Sequence, residues 1–341
     1  MDIIATIWKA PYYHDRNQRM IDAGVDYFRV KCSHISADEI IYSLQAARKQ
    51  ISQSKKTVKL IADLPEAKIR LGEFPQEKIN LQKGEQYLFR NEQESSDPLE
   101  FIPIKYENIG SCLNINDEFY TGDGQLSFKV VKIISTNEFV AEANNSGLLV
   151  FRNSVTIPKI MDDIDHITPF IDEIIPRLPE IQPEMVAFSF ISSKKMLEKL
   201  ISKLSKYTTS NWQPKIIAKI ESQAGVDNID EILELADGIM VARGDLALTM
   251  PYAELGLTQK KLVSKARSAG KYVIVATQAL QSLLNNYIPM RSDVLDVTNM
   301  CLDGASAVML CTETAHSEHP ERAVEVAREI ISEVNDSKLD M

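Results

Sequence analysis

The chain has 341 residues, 44% of them apolar and 25% charged, with a formal net charge of −10 at pH 7. That length suits one large domain plus a smaller one, no apolar run approaches the ~18 residues of a membrane span, and the acidic balance argues against nucleic acid or an anionic membrane as a partner. Cys32, Cys112, Cys301 and Cys311 lack metal-site or secreted-framework spacing, and Met1-Asp-Ile-Ile-Ala-Thr-Ile lacks a basic start and a cleavage site, so reduced thiols and a cytoplasmic location are expected.

Near-continuous apolar runs are the pattern of strands buried on both faces. The first three are Ile3–Ile7, Val25–Val30 and Val58–Ala62, with a helical pattern over Ala37–Lys49. The alternation then breaks. Between Gly72 and Ile157 there are short alternating stretches and turn signals, Asn80-Leu-Gln-Lys-Gly, Thr121-Gly-Asp-Gly and Asn144-Asn-Ser-Gly, in place of an amphipathic helix. Five further runs follow: Met185–Phe190, Ile216–Ile220, Gly238–Val241, Tyr272–Ala276 and Ala305–Leu310, with helices predicted over Val226–Ala236 and Tyr252–Ala269. A last helix starts at His319-Pro320, where proline's missing N–H costs nothing. It carries Ala323, Val324, Ala327, Ile330, Ile331 and Val334 at helical spacing. The alternation predicts an α/β fold: a (β/α)8 TIM barrel over residues 1–71 and 158–341, roughly 250 residues. A β-rich, barrel-like domain is inserted after strand 3, over residues 72–157. The chain stops soon after such a barrel would close, so no C-terminal regulatory domain is expected.

Active sites of these barrels lie at the C-terminal ends of the strands. Here those ends carry Arg29-Val-Lys31-Cys-Ser33-His34, then Asp63 followed by Lys68 and Arg70, Ser189, Lys219 and Glu221, Arg243-Gly-Asp245, Thr277-Gln278, and Thr312-Glu313. A lone charge at a strand end is commonly a solvated rim residue, and Thr277 alone reads equally well as a helix cap. Convergence from six or more strands points instead to a ligand. Glu221 and Asp245 on adjacent strands suit a hard divalent cation such as Mg²⁺, and Arg29, Arg70 and Lys219 suit phosphate oxygens. Phosphoryl transfer needs chiefly positioning and charge neutralisation, which such a set supplies.

Five motifs follow in order along the chain: Lys215-Ile-Ile-Ala-Lys219-Ile-Glu221-Ser, Asp237-Gly-Ile-Met-Val-Ala-Arg-Gly-Asp245-Leu, Ala276-Thr-Gln, Leu302-Asp-Gly-Ala and Glu313-Thr-Ala. On them the chain resembles the pyruvate kinase family over nearly its whole length. The resemblance implies that Lys219 stabilises the phosphoryl group in flight. It implies that Glu221 and Asp245 hold Mg²⁺ or Mn²⁺ between substrate carboxylate and phosphate. Thr277 would lie beside the enolate carbon and assist its protonation. Arg29 and Arg70 would grip phosphates, Gly244 would offer its N–H to the substrate carboxylate, and Arg243 would flank that site. In the insert, Asp123 matches a lid aspartate that swings over the nucleotide, and His34 matches a histidine of the nucleotide pocket. The implied ligands are phosphoenolpyruvate or pyruvate and ADP or ATP, and a homodimer is compatible.

The chain departs from the family pattern at several points. The family's potassium site reads Asn, Ser, Asp and Thr, and here the positions are Lys31, Ser33, Asp63 and Leu64. Lys68 stands where potassium-dependent members carry glutamate and potassium-independent members carry lysine, so Lys68, with Lys31, is expected to substitute for the ion and K⁺ is not expected to be required. Trp8, followed by Lys9 and Pro11, replaces a glycine after the first strand, and Cys311-Thr312-Glu313 replaces Ser-Gly-Glu. His316 and His319 read as the start of the last helix rather than a metal pair, and Tyr12-Tyr13 as helix packing rather than an adenine platform. Two other readings stay open: a metal-dependent lyase or aldolase working through a pyruvate enolate, and a non-catalytic binding paralogue.

Overall fold

A computed structural model of the chain describes residues 1–7, 13–32, 36–64, 69–160 and 168–337. The residues form two compact units, Met1–Glu66 with Ile164–Met341, and Ala67–Asp163.

The first unit is a closed barrel of eight parallel strands in sequential order: β1 (Asp2–Ile7), β2 (Tyr27–Lys31), β3 (Lys59–Leu64), β4 (Met185–Phe188), β5 (Lys215–Ile220), β6 (Gly238–Ala242), β7 (Tyr272–Ala276) and β8 (Ala307–Leu310). The predicted (β/α)8 architecture is therefore the observed one. Successive strand side chains point to opposite faces, which divides the core in two. Ile4, Tyr27, Ile61, Ile217, Met240 and Ile274 pack inside the barrel. Phe28, Leu60, Ala62, Phe188, Ala218 and Val241, one residue out of phase, pack in the layer between strands and helices.

Several element boundaries differ from the expectation. Val25 and Ala305 lie outside the strands because each closes the preceding helix. Gly24 and Gly304 adopt left-handed φ of 93° and 83°, and the next amide returns to the helix (Val25 N–H to Met20 O, Ala305 N–H to Met300 O), a Schellman closure. The helix expected over Val226–Ala236 is two, Gln223–Asp227 and Ile229–Leu235. At the break, Asn228 donates its side-chain N–H to Ser192 O at 2.8 Å. The Tyr252–Glu254 segment is a 3₁₀ turn ahead of the helix Leu255–Ser268. Among the described residues, no helix is long and apolar enough to cross a membrane.

The second unit has a seven-stranded sheet in the order Ile69–Arg70, Ser154–Thr156, Glu118–Thr121, Leu126–Ser135, Glu138–Ala143, Gln86–Asn91 and Ile102–Ile104, beside a Lys78–Leu81/Gly147–Val150 pair. Its edge strands meet at the bridge Leu71↔Ile104 and through Lys105 N–H to Arg70 O, so the sheet curls round its own core. Phe89 stacks on Phe139 at 5.1 Å and Phe119 on Phe128 at 4.9 Å, with the two pairs edge to face.

Candidate active site

Strand alternation builds the site. Thr6, Arg29, Asp63 and Lys219 stand two residues beyond Ile4, Tyr27, Ile61 and Ile217, so the same phase that fills the barrel with apolar side chains places a polar layer at its C-terminal end. All four are buried. Arg29 donates Nε–H to Asp63 Oδ2 at 2.8 Å and Nη1–H to Thr6 Oγ1 at 3.1 Å. Lys219 Nζ lies 3.0 Å from Asp63 Oδ1 and 3.2 Å from Glu221 Oε1, and donates to Ser189 Oγ at 2.8 Å. Ser189 in turn donates to Leu64 O.

A buried charge survives only if it is paired and hydrogen-bonded. Burial alone would raise the Asp63 carboxyl, yet Lys219 and Arg29 together bring it down to about 2. Burial would lower Lys219, and the carboxylates of Asp63 and Glu221 raise it above the usual lysine range. All three groups therefore remain charged at neutral pH.

Glu221 lies just past β5, only 2% exposed. Its Oε2 accepts the backbone N–H of Phe190 at 2.8 Å. To present that N–H, Phe190 takes a left-handed φ of 51°, which is why β4 ends at Phe188 rather than Phe190 as expected. Asp245, in the short helix Arg243–Leu246 after β6, is close enough to raise Lys219 further. Asp63, Glu221 and Asp245 thus gather around the Lys219 ammonium, with Arg29 paired to Asp63. Among the described residues, no three His, Cys, Asp or Glu side chains form a metal cage. A divalent ion at Glu221 and Asp245 would complete its shell with water and substrate oxygens, the habit of Mg²⁺.

The opposite wall comes from β6 and β7. Thr277 has φ 76° and Gln278 φ 55°. Left-handed backbone is a true outlier for a β-branched residue and costs of order 1–3 kcal/mol. Gly244 sits against Thr277, and a Cβ there would lie 3.0 Å from Thr277 Cγ2. Arg243 donates Nε–H to Ala276 O and Thr277 O at 3.2 and 3.1 Å. Its Nη1 and Nη2 pair with the two oxygens of Asp296, each at 2.8 Å. The remaining N–H groups go to Gln259 Oε1 and Thr277 O, so all five donors of the guanidinium are engaged within the protein.

Lys31, at the end of β2, is near enough to lower the Cys311 thiol, though burial raises that thiol overall. Leu64 is buried, with its carbonyl on Ser189. Arg70 and Asp123 belong to the second unit. Arg70 donates to Arg152 O at 3.2 Å, and Asp123 sits at an exposed turn with φ 55°, accepting from Ser154 Oγ at 3.3 Å. Glu313, beside Thr312, is wholly buried, and burial pushes its carboxyl up. His34, Ser33, Lys68, Trp8, Lys9, Pro11 and Tyr12 lie outside the described residues. Asp63 and Ser189 were visible at strand ends but had no role as partners of Lys219. Their even spacing from Ile61 and Met185 was the available signal.

The family model described as "Pyruvate kinase, barrel domain" matches residues 1–324. A pyruvate kinase of Thermococcus litoralis is 35% identical over 328 residues, covering 96% of this chain and 68% of that protein. The corresponding figures are 31%, 98% and 58% for a pyruvate kinase of Thermoplasma acidophilum, and 28%, 97% and 70% for one of Thermotoga maritima. The chain therefore spans between 58% and 70% of the length of these three relatives.

Proposed function

Because the chain belongs to the pyruvate kinase family, we propose that it transfers a phosphoryl group between phosphoenolpyruvate, or a closely related enolpyruvate phosphate, and a metal-bound nucleotide, ADP or ATP. The observation that carries this reading is the buried Lys219 ammonium held between Asp63 and Glu221 at the C-terminal end of the barrel. A fixed, water-excluded positive charge is what a phosphoryl group in flight requires.

Glu221 and Asp245 would hold Mg²⁺ or Mn²⁺, hard ions that take carboxylate oxygens and fill the rest of their shell with water and substrate oxygens. When bound, such an ion neutralises the negative charge shared by the substrate's carboxylate and phosphate. Asp63 keeps Arg29 and Lys219 charged and in place while they face phosphate oxygens. The Gly244 N–H receives the substrate carboxylate, in a position a side chain would crowd. Thr277, beside Gly244, stands at the enolate carbon and assists its protonation. Arg70, Asp123 and His34 serve the nucleotide. Lys68 and Lys31 stand in for a monovalent cation, since an ammonium supplies the same charge covalently, and Leu64 offers no side-chain hydroxyl.

A coupled assay with phosphoenolpyruvate, ADP and Mg²⁺ tests the reading directly. Pyruvate formed in step with ATP is expected, and pyruvate formed with inorganic phosphate in place of ATP would mean hydrolysis rather than transfer to the nucleotide. Activity is expected to vanish without a divalent cation and to stay flat as K⁺ is titrated in a bulky-amine buffer. Potassium dependence should appear in Lys68→Glu. A large activation of the wild-type protein by K⁺ would overturn the lysine substitution.

A further inference from the structure

We infer that Arg243, held by Asp296, is a positioning residue that fixes the left-handed turn at Ala276–Thr277–Gln278 and so sets the place of the Thr277 hydroxyl, given the proposed role of Thr277 at the enolate carbon. Two consecutive non-glycine residues with φ of 76° and 55° do not hold that shape by local preference. Something outside the turn must over-determine it. Arg243 does so from the neighbouring strand's end. It takes the carbonyls of both Ala276 and Thr277, the two oxygens whose direction defines the bend.

The guanidinium is itself immobilised. Asp296, in the helix Arg291–Asp303, grips it through two parallel hydrogen bonds, and Gln259, in the helix Leu255–Ser268, takes a further N–H. The turn is thereby tied to two helices of the barrel wall. Only a planar fork can serve the two Asp296 oxygens and the two carbonyls together, and lysine keeps the charge but not the geometry. The same tie keeps Thr277 against Gly244. In the step it serves, the electron pair of the enolate forms the new C–H bond with a proton relayed from water through the Thr277 hydroxyl. The enolate oxygen becomes the ketone of pyruvate.

The test separates protonation from phosphoryl transfer. Exchange of the pyruvate methyl protons with D₂O is followed by NMR, alongside kcat and KM for phosphoenolpyruvate, in Thr277→Ala, Arg243→Lys and the double variant. Misplacement of a reacting group by about 1 Å costs on the order of 10²-fold. Arg243→Lys should therefore lower methyl exchange and kcat to that degree with KM little changed, and the double variant should fall no further than Thr277→Ala. Wild-type exchange in a folded Arg243→Lys, or losses that multiply in the double variant, would overturn the assignment. If Arg243→Lys does not fold, Asp296→Asn replaces it, with the same expectations. If the wild-type protein neither forms pyruvate nor exchanges its methyl protons, the kinase reading fails by itself. The positioning role is then decided by the crystal structure of Asp296→Asn. Relaxation of Thr277 to negative φ supports it, and an unchanged left-handed turn refutes it.

Discussion

Lys219 holds an ammonium at a depth where an unpaired one would shed its proton. It stays charged because Asp63 and Glu221 stand 3.0 and 3.2 Å away. Lys219→Met is accordingly expected to lower phosphoryl transfer by ~10²–10³. It also leaves two buried carboxylates short of a partner, so stability should fall by about 3–5 kcal/mol. Turnover and urea unfolding measure the two effects, and near-normal turnover would remove the kinase reading. The Asp63 carboxyl is depressed from 3.8 to about 2. A depressed acid contributes stability that is complete above its ordinary value and is lost as pH falls through the folded one. The stability gap between wild type and Asp63→Asn should thus be widest above pH 4 and close between pH 4 and pH 2. A gap that stays constant over that window would show that Asp63 is not the charged counter-ion.

At the scale of elements, caps decide where helices start and stop. Ser36 opens the helix Ala37–Gln53 with a capping box: Ser36 Oγ accepts Glu39 N–H at 3.3 Å while the Glu39 carboxylate accepts Ser36 N–H at 2.9 Å. That helix buries Ile40, Ile41, Leu44 and Ile51 against the barrel wall. Ser36→Ala should cost ~1 kcal/mol, a fall in Tm of roughly 2–4 °C. An unchanged melting curve would mean that packing alone sets the helix start. The left-handed turns at Phe190 and Thr277 belong to the same scale. Each lies where a barrel strand gives way to its loop, and each is held by a polar side chain from another strand end, Glu221 or Arg243.

At the scale of the whole molecule, the second unit has a core of its own. Phe89, Phe119, Phe128 and Phe139 are fully buried within it and touch one another. Aromatic residues each bury 150–250 Å² or so and favour such stacked and edge-on contacts. Residues 69–160 expressed alone should therefore melt cooperatively, and Phe89→Ala should cost that fragment about 3–5 kcal/mol. A fragment with dispersed backbone signals but no cooperative transition would show that the cluster is insufficient without the barrel.

The barrel was legible in the chain because burial on both faces writes each strand as a local apolar run, and the even spacing from Ile61 to Asp63 and from Ile217 to Lys219 already carried the direction of the site. That Glu221 and Asp245 follow the ends of adjacent strands was legible too, from strand order. What the tertiary structure decided is which charge answers which. Asp63 meets Arg29 across 34 residues, Ser189 meets Lys219 across 30, and Phe190 gives its N–H to Glu221 across 31. Arg243 reaches the carbonyls at the end of β7 because an adjacent parallel strand brings them close, and Asp296 holds the other side of its fork. Periodicity is a property of one strand. Partnership is a property of the closed barrel, in which every strand end is brought close to its neighbours only once the sheet has met itself.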